Sequence, residues 1–470
     1  MAEGFLARWK GIFSRIGAMP VAFLGVGLYR AWLAIFFRFD AFPVMGFSDY
    51  ALFEGAIGTS SLVVALFACR IAPLWSNRRI VRATAVLMTG GSALCVFVCF
   101  FMQSEVLKWM GLLASGVGLG FLILMWTEFY GTLNPLRVAV YHAAGIFFGE
   151  LIIWLFTGLD ATYLAALSIV LPVMSLSWLR RSMRHIPDVD LPRRMTKVDR
   201  GDVPWKPILL MAVCTFATGF GSLPDQPIIA GNIVGTLLVT AFVFFGVLSA
   251  SKWFNFDTIY QLAFPLMTIG LLLIAPSLSM NYQVAAGCYD AGYTMLSMFI
   301  MIILSNITYR FGISAAWLNG IERGIRYLTE MAGWMLFAAG SAYLTTDQNN
   351  MLHFGITAVV VVAFVMIFAT EKRLSSKWGI NLHASDKADG DDVFSPGLLA
   401  MRVSDLSKEH NLSPREEEVL QLMARKEPIA EIEANLFVAQ GTVKAHISRI
   451  YRKLGVHSRE ELYAVLKLEE

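Results

Sequence analysis

Across the first 370 positions the residues able to do chemistry are few, and they interrupt apolar stretches. Arg30, Glu54, Glu150 and Asp290 each break a hydrophobic run, and Asn319, Glu322, Arg323, Arg326 and Glu330 break one more. Ionisable groups in such surroundings are costly, so they are expected to face a protein interior or a water-filled cavity. Residues 322, 326 and 330 repeat at every fourth position, which places them on one helix face where they can pair. Three kinds of chemistry fit. They are internal ion pairs that hold helices together, a small-molecule cavity open to the outside, and a proton or ion relay. Both signs of charge are present, so the charge of a ligand is not legible here.

Other chemistries lack their residues. Cys69, Cys95, Cys99, Cys214 and Cys288 all fall in apolar runs, their number is odd, and no CxxC or Cys/His ligand spacing occurs. Neither a disulfide framework nor a metal site is expected. No receiver domain, kinase motif or phosphate-binding glycine loop is present, so no cofactor and no enzymatic activity are expected.

A second set of reactive positions lies near the C-terminus. From Lys444 to Arg459 there are five Lys or Arg and no acid, whereas 412–433 carries six glutamates. A basic helix face opposite an acidic one is an electrostatic footprint for nucleic-acid phosphate. Val443, Ile447, Ile450 and Leu454 sit at three- and four-residue spacing and must pack inward. The opposite face then presents Thr442, Lys444, Ala445, Ser448, Arg449 and Arg452, with His446 between faces and Lys453 beside them. Lys444 reaches a base edge or a phosphate, and Ala445 offers a methyl contact to thymine. Arg449, Arg452 and Lys453 are expected to neutralise the phosphate backbone, which positions without specifying.

The elements that must hold these groups follow from composition. Of 470 residues, 56% are hydrophobic and 16% are charged, and mean hydropathy is +0.59. Soluble domains run nearer about 45–50% apolar and 25% charged. A soluble globular enzyme is excluded, and a lipid bilayer is the expected surroundings. A helix needs roughly 20 apolar residues to cross the bilayer core. That ruler predicts twelve spans, at 20–37, 50–70, 81–102, 109–129, 136–157, 161–179, 207–221, 233–251, 258–275, 283–307, 313–341 and 351–370. The first is not expected to be a signal peptide, because no small-residue cleavage site follows it.

Alternate connections collect the Lys and Arg residues, with eight between Arg180 and Lys206, while the intervening connections hold only Arg38 and Lys108. The charge rule then places both termini, and the segment after the last span, in the cytoplasm of a multi-pass cell-membrane protein. The expected divisions are a first six-helix bundle (1–179), a basic cytoplasmic loop (180–206), a second six-helix bundle (207–370), a polar linker (371–411) and a C-terminal domain (412–470). The stretch "APLWSNRRIVRATAVLMTGG", with Arg78 and Arg79, resembles the cytoplasmic loop of major facilitator transporters. Asn77 stands near that family's Asp, and its Gly is missing. The resemblance implies an all-α, 6+6 bundle around a central cavity.

In the tail, Ser413, Pro414 and Glu416 read as N-cap, first-turn proline and capping-box glutamate. A short helix over 428–435, a helix over 440–454 and a last helix from Ser458 complete a four-helix pattern. "LSPREEEVL", "GTVKAHISRIYRKLGV" and "SREEL" resemble the LuxR-type helix-turn-helix of bacterial transcription regulators. The resemblance implies promoter DNA as partner, the third helix in the major groove, and a homodimer on DNA through the last helix. Ala439 stands where the family usually has Ser, and Glu433 where it has a small residue. Three functions fit the whole chain. One is a membrane-embedded one-component regulator that senses an unknown small molecule, another a transporter with a regulatory DNA-binding tail, and the third a docking module.

Overall fold

The computed structural model describes residues 20–37, 47–133, 135–186, 204–221, 229–248, 256–274, 282–311, 313–343, 411–424 and 440–466, with isolated positions at 192, between 345 and 410, and at 429 and 432. These residues are helical, with no strand among them. A 3-10 turn (Val21–Leu24) leads into α1 (Val26–Phe37). Then follow α2 (Phe47–Ile71), α3 (Arg78–Phe101), α4 (Glu105–Tyr130), α5 (Pro135–Phe156) and α6 (Ala161–Met183). The second half contains α7 (Trp205–Gly221), α8 (Ile229–Leu248), α9 (Phe256–Ile274), α10 (Tyr282–Phe311) and α11 (Ala315–Tyr343). In the tail lie α12 (Pro414–Ala424), α13 (Gln440–Leu454) and α14 (Arg459–Val465).

The expectation of twelve spans is corrected. Among the described residues, six helices are long and apolar enough to cross a membrane: Ser48–Ile71, Arg78–Phe101, Glu105–Tyr130, Arg137–Phe156, Ala161–Met183 and Val284–Tyr309. The chain is a multi-pass membrane protein. Val21–Phe37, Trp205–Gly219, Ile233–Val247 and Leu262–Leu273 are apolar helices of 10–17 residues. The helix α11 has 29 residues, but Glu322, Arg323, Arg326 and Glu330 make it too charged to count as apolar. Most of the expected span at 351–370, the amino-terminal 1–19, most of the basic loop, the linker 371–402 and most of 428–435 lie outside the described residues.

Packing crosses between the two halves. Helix α2 lies along α11, and α5 contacts α8 and α10. Small residues permit the closest crossings, as is usual where lipid gives helices no hydrophobic reason to associate. At the α1–α5 crossing a Cβ on Gly149 would meet the Gly27 Cα at 2.8 Å, and one on Gly27 would meet the Gly145 carbonyl at 2.6 Å. Buried indoles add polar ties. Trp32 Nε1 donates to Ser92 Oγ at 2.9 Å, and Trp126 Nε1 donates to Ser175 Oγ at 3.1 Å. The 72–77 turn is clamped by a buried carboxylate of α4. The Leu74 and Trp75 amides donate to Glu128 Oε1 and Oε2 at 2.8 and 3.0 Å, which satisfies backbone groups that would otherwise be orphaned. Asn77 then caps α3, accepting from the Arg79 amide at 3.1 Å.

The C-terminal helices have an apolar core of their own. Val403, Val419, Leu420, Met423, Ile432, Val443, Ile450, Leu454, Val456, Leu462 and Leu466 are buried together, with Ile447 packed against them. The expected inward face of α13 is therefore the buried one. Gly455, at φ +69°, ends α13 in the left-handed conformation, and the Val456 amide donates back to the Tyr451 carbonyl at 3.0 Å.

Candidate functional site

The bundle encloses a cavity of about 310 Å³ whose walls include Arg30, Glu54, Glu150, Asp290, Arg323, Arg326 and Glu330. These come from α1, α2, α5, α10 and α11, so the short and long helices together position them. Two expected residues stand off the cavity. Asn319 is buried, and its Nδ2 donates to the Ala315 carbonyl of its own helix at 3.0 Å. Glu322 lies behind the wall, 2.6 Å from the Arg326 guanidinium and 3.4 Å from Arg323 Nε. It orients two arginines without facing the space itself.

The glycine crossing of α1 and α5 brings Arg30 within 2.7 Å of the fully buried Glu150. Arg326 also donates to Ser297 Oγ at 3.0 Å, and its guanidinium lies 5.8 Å from the centroid of the Tyr293 ring. Glu54 is 8% exposed, and its Oε2 has no hydrogen-bond partner. Buried pairs of this kind survive because each partner would be more costly alone.

Several wall residues escaped the sequence reading. His142 is buried on α5, edge-on to the Tyr130 ring at 5.0 Å. Tyr289 donates to the Cys214 carbonyl at 3.1 Å and meets the Thr218 hydroxyl in a short hydrogen bond. Tyr50 and Trp334 meet with ring centroids 4.6 Å apart. A signal for Trp334 existed, because it continues the four-residue repeat of 322, 326 and 330. Histidine and tyrosine at isolated positions offered none. Among the described residues, no group of three or more His, Cys, Asp or Glu side chains could hold a metal ion.

In the tail, α13 exposes Thr442, Lys444, Ala445, Ser448, Arg449 and Arg452, while His446 is half-buried. Lys453 is turned elsewhere. Its Nζ donates to Glu416 Oε2 at 2.8 Å and to the Asn411 carbonyl at 2.9 Å. Glu416 also closes the capping box of α12, accepting from the Ser413 amide at 2.8 Å. Those two donors, Lys453 first, lower the Glu416 carboxyl from its ordinary 4.5 to about 2. At the start of α14, Ser458 Oγ accepts from the Glu461 amide at 3.1 Å and Glu461 returns to the His457 amide at 2.7 Å.

The membrane bundle is similar to the crystal structures of a bacterial homologue of the iron transporter ferroportin in its outward-facing state. The TM-scores are 0.51 and 0.50 at 14% and 13% identity, over 77% of this chain and 98% of the other. That likeness concerns the fold alone, and it replaces the major-facilitator layout expected from residues 72–91. The tail is similar to "Probable transcriptional regulatory protein NarL" of Mycobacterium tuberculosis, 40% identical over 79 residues. The match covers 16% of this chain and 37% of that protein, so the chain spans little more than a third of that relative. It is also similar to the spore germination protein GerE of Bacillus subtilis, 35% identical over 68 residues, which are 14% of this chain and 89% of that one. These similar proteins are regulators and a transporter homologue, not enzymes. The model of bacterial regulatory proteins of the luxR family matches residues 410–466, and through this segment the chain belongs to that family.

Proposed function

We propose that the protein is a transporter-like membrane bundle carrying a regulatory DNA-binding tail, in which a small molecule in the cavity controls binding to promoter DNA. One observation carries the reading. A single chain joins a charged cavity inside a transporter-like fold to an outward basic helix face in a luxR-family segment. Thr442, Lys444, Ala445 and Ser448 are assigned to base edges, and His446, Arg449 and Arg452 to phosphates. The tail pairs with a second copy on DNA through α14, where Val465 is 43% exposed. The positive-inside bias puts both termini in the cytoplasm, and the divisions at 179, 206, 370 and 411 belong to the same proposal.

The second reading is a one-component sensor that moves no solute. The buried Arg30–Glu150 and Arg326–Glu322 pairs favour it, since such pairs can fix a bundle in one state. Footprinting of promoters in cells with and without the gene tests the DNA role directly. Protection present only with the gene, and lost on removing residues 412–470, is the expected result. Uptake into vesicles containing the protein separates transporter from sensor. A cytoplasm-specific reporter fused after Lys377 should be active, and activity of an external reporter there would overturn the topology and the DNA role together.

A further inference from the structure

The charges around the cavity do not cancel. Arg30, Arg323 and Arg326 face five carboxylates, those of Glu54, Glu150, Asp290, Glu322 and Glu330. All three guanidinium groups are engaged, Arg30 by Glu150 and the other two by Glu322. An anionic ligand would therefore compete with Glu150 or Glu322, and its openings are donors such as Arg30 Nε that lack a hydrogen-bond partner. Among the described residues, Glu54 and Glu330 form no ion pair. They line the same cavity from α2 and α11. Glu54 is more than nine-tenths buried, lines the cavity, and leaves Oε2 without a partner. An uncompensated carboxylate in such a place calls for a positive group.

The walls nearby are aromatic. Tyr50 and Trp334, whose rings lie 4.6 Å apart, line the same space, as do Tyr289 and Tyr293, stacked on each other along α10 at 6.3 Å. Aromatic faces attract organic cations. A metal ion fits less well, since the described residues offer no three-ligand group. The volume, about 310 Å³, lies at the small end of ligand pockets. We propose that the cavity binds a small organic ammonium ion, its charge held by Glu54 and Glu330 and its carbon skeleton by the Tyr50–Trp334 wall. This rests on the reading above that the cavity is where a solute acts.

The test uses the full chain in lipid nanodiscs with tritiated phenethylamine as probe, and 2-phenylethanol and phenylacetate as neutral and anionic counterparts. The amine is expected to bind, and both counterparts to compete at least about tenfold more weakly, as loss of a buried charge contact implies. E54Q and E330Q should each weaken the amine by about tenfold or more, whereas E105Q, on an exposed carboxylate away from the cavity, should not. Helical circular dichroism and elution volume confirm that each variant folds. Glu330 is only half-buried, so E330Q retains the test if E54Q does not fold. Three results overturn the proposal: phenylacetate binding as tightly as the amine, unchanged affinity in both variants, or no amine binding at millimolar concentration. A promoter reporter in cells distinguishes the two layers. Binding as expected with a silent reporter leaves the ammonium site standing and removes its coupling to DNA. A reporter answering only phenylacetate does the reverse.

Discussion

Two helices in this chain carry polar residues at every fourth position, and they use them in opposite ways. On α11, Glu322 and Arg326 are buried and Glu330 is half-buried, and Arg326 finds its counter-charge one turn away at 2.6 Å. On α13, Lys444, Ser448 and Arg452 at the same spacing are all exposed. In the bundle a charge without a partner has no water to fall back on, so it must be matched within the protein or left facing a cavity. In the tail water solvates each cation until a phosphate replaces it, and the counterions released drive binding. Equal spacing therefore fixes a shared face but not its use.

The largest expected effect breaks the α11 side of this contrast. Arg326→Leu leaves Glu322 with Arg323 alone, 3.4 Å away, and should destabilise the bundle by about 3 kcal/mol. Glu322→Leu, which strands both arginines, should be at least as damaging. Thermal unfolding of the full chain in nanodiscs reads both, and a neutral single variant would mean that the stripe is solvated after all. Next comes Lys444→Ala on the exposed side. Loss of a base contact should cost about 1–3 kcal/mol on the target sequence and little on a scrambled duplex. Fluorescence-anisotropy titration of the two duplexes checks it, and equal losses would move Lys444 to the phosphate class.

Smaller effects sharpen the comparison within α13 itself. Lys453→Met should lower the stability of the tail by about 1 kcal/mol, because its ammonium serves Glu416, and should leave the salt dependence of DNA binding unchanged. Since the folded Glu416 carboxyl is lowered to about 2, its stabilising contribution is complete above pH 4.5 and disappears as pH falls through 2. Acid titration of helical content should shift in Lys453→Met. Arg452→Ala should weaken all duplexes alike and reduce the logarithmic salt slope by about 0.9. A slope altered by Lys453→Met and not by Arg452→Ala would invert the two assignments.

Much of the tail was legible because its signals are local. Ser413 with Glu416, Ser458 with Glu461, and the inward row from Val443 to Leu454 each lie within one or two helical turns. The capping bonds are those their spacing implies. The bundle was legible in its residue types more than in its geometry. Seven of the nine charged or polar candidates line the cavity, because only a cavity or a partner makes such residues tolerable in lipid. Their pairing was not legible, since Arg30 and Glu150 lie 120 positions apart. Nothing near Asn319 announces that its Nδ2 donates to a carbonyl of its own helix. Glu128 looked like one more acid in an apolar run, and only the folded turn reveals that it holds two backbone amides. The count of spans failed in part because α11 carries Glu322, Arg323, Arg326 and Glu330 inside an otherwise apolar run.

The junction of Lys453 with Asn411 has a mechanical side. Asn411, at φ 51°, stands just ahead of α12, after Val403 and Leu406 have already packed into the core of the tail. Its carbonyl is fastened to the last turn of α13 by the same ammonium that grips Glu416. One ammonium thus pins the turn before α12, the capping glutamate of α12 and the last turn of α13 to a single point.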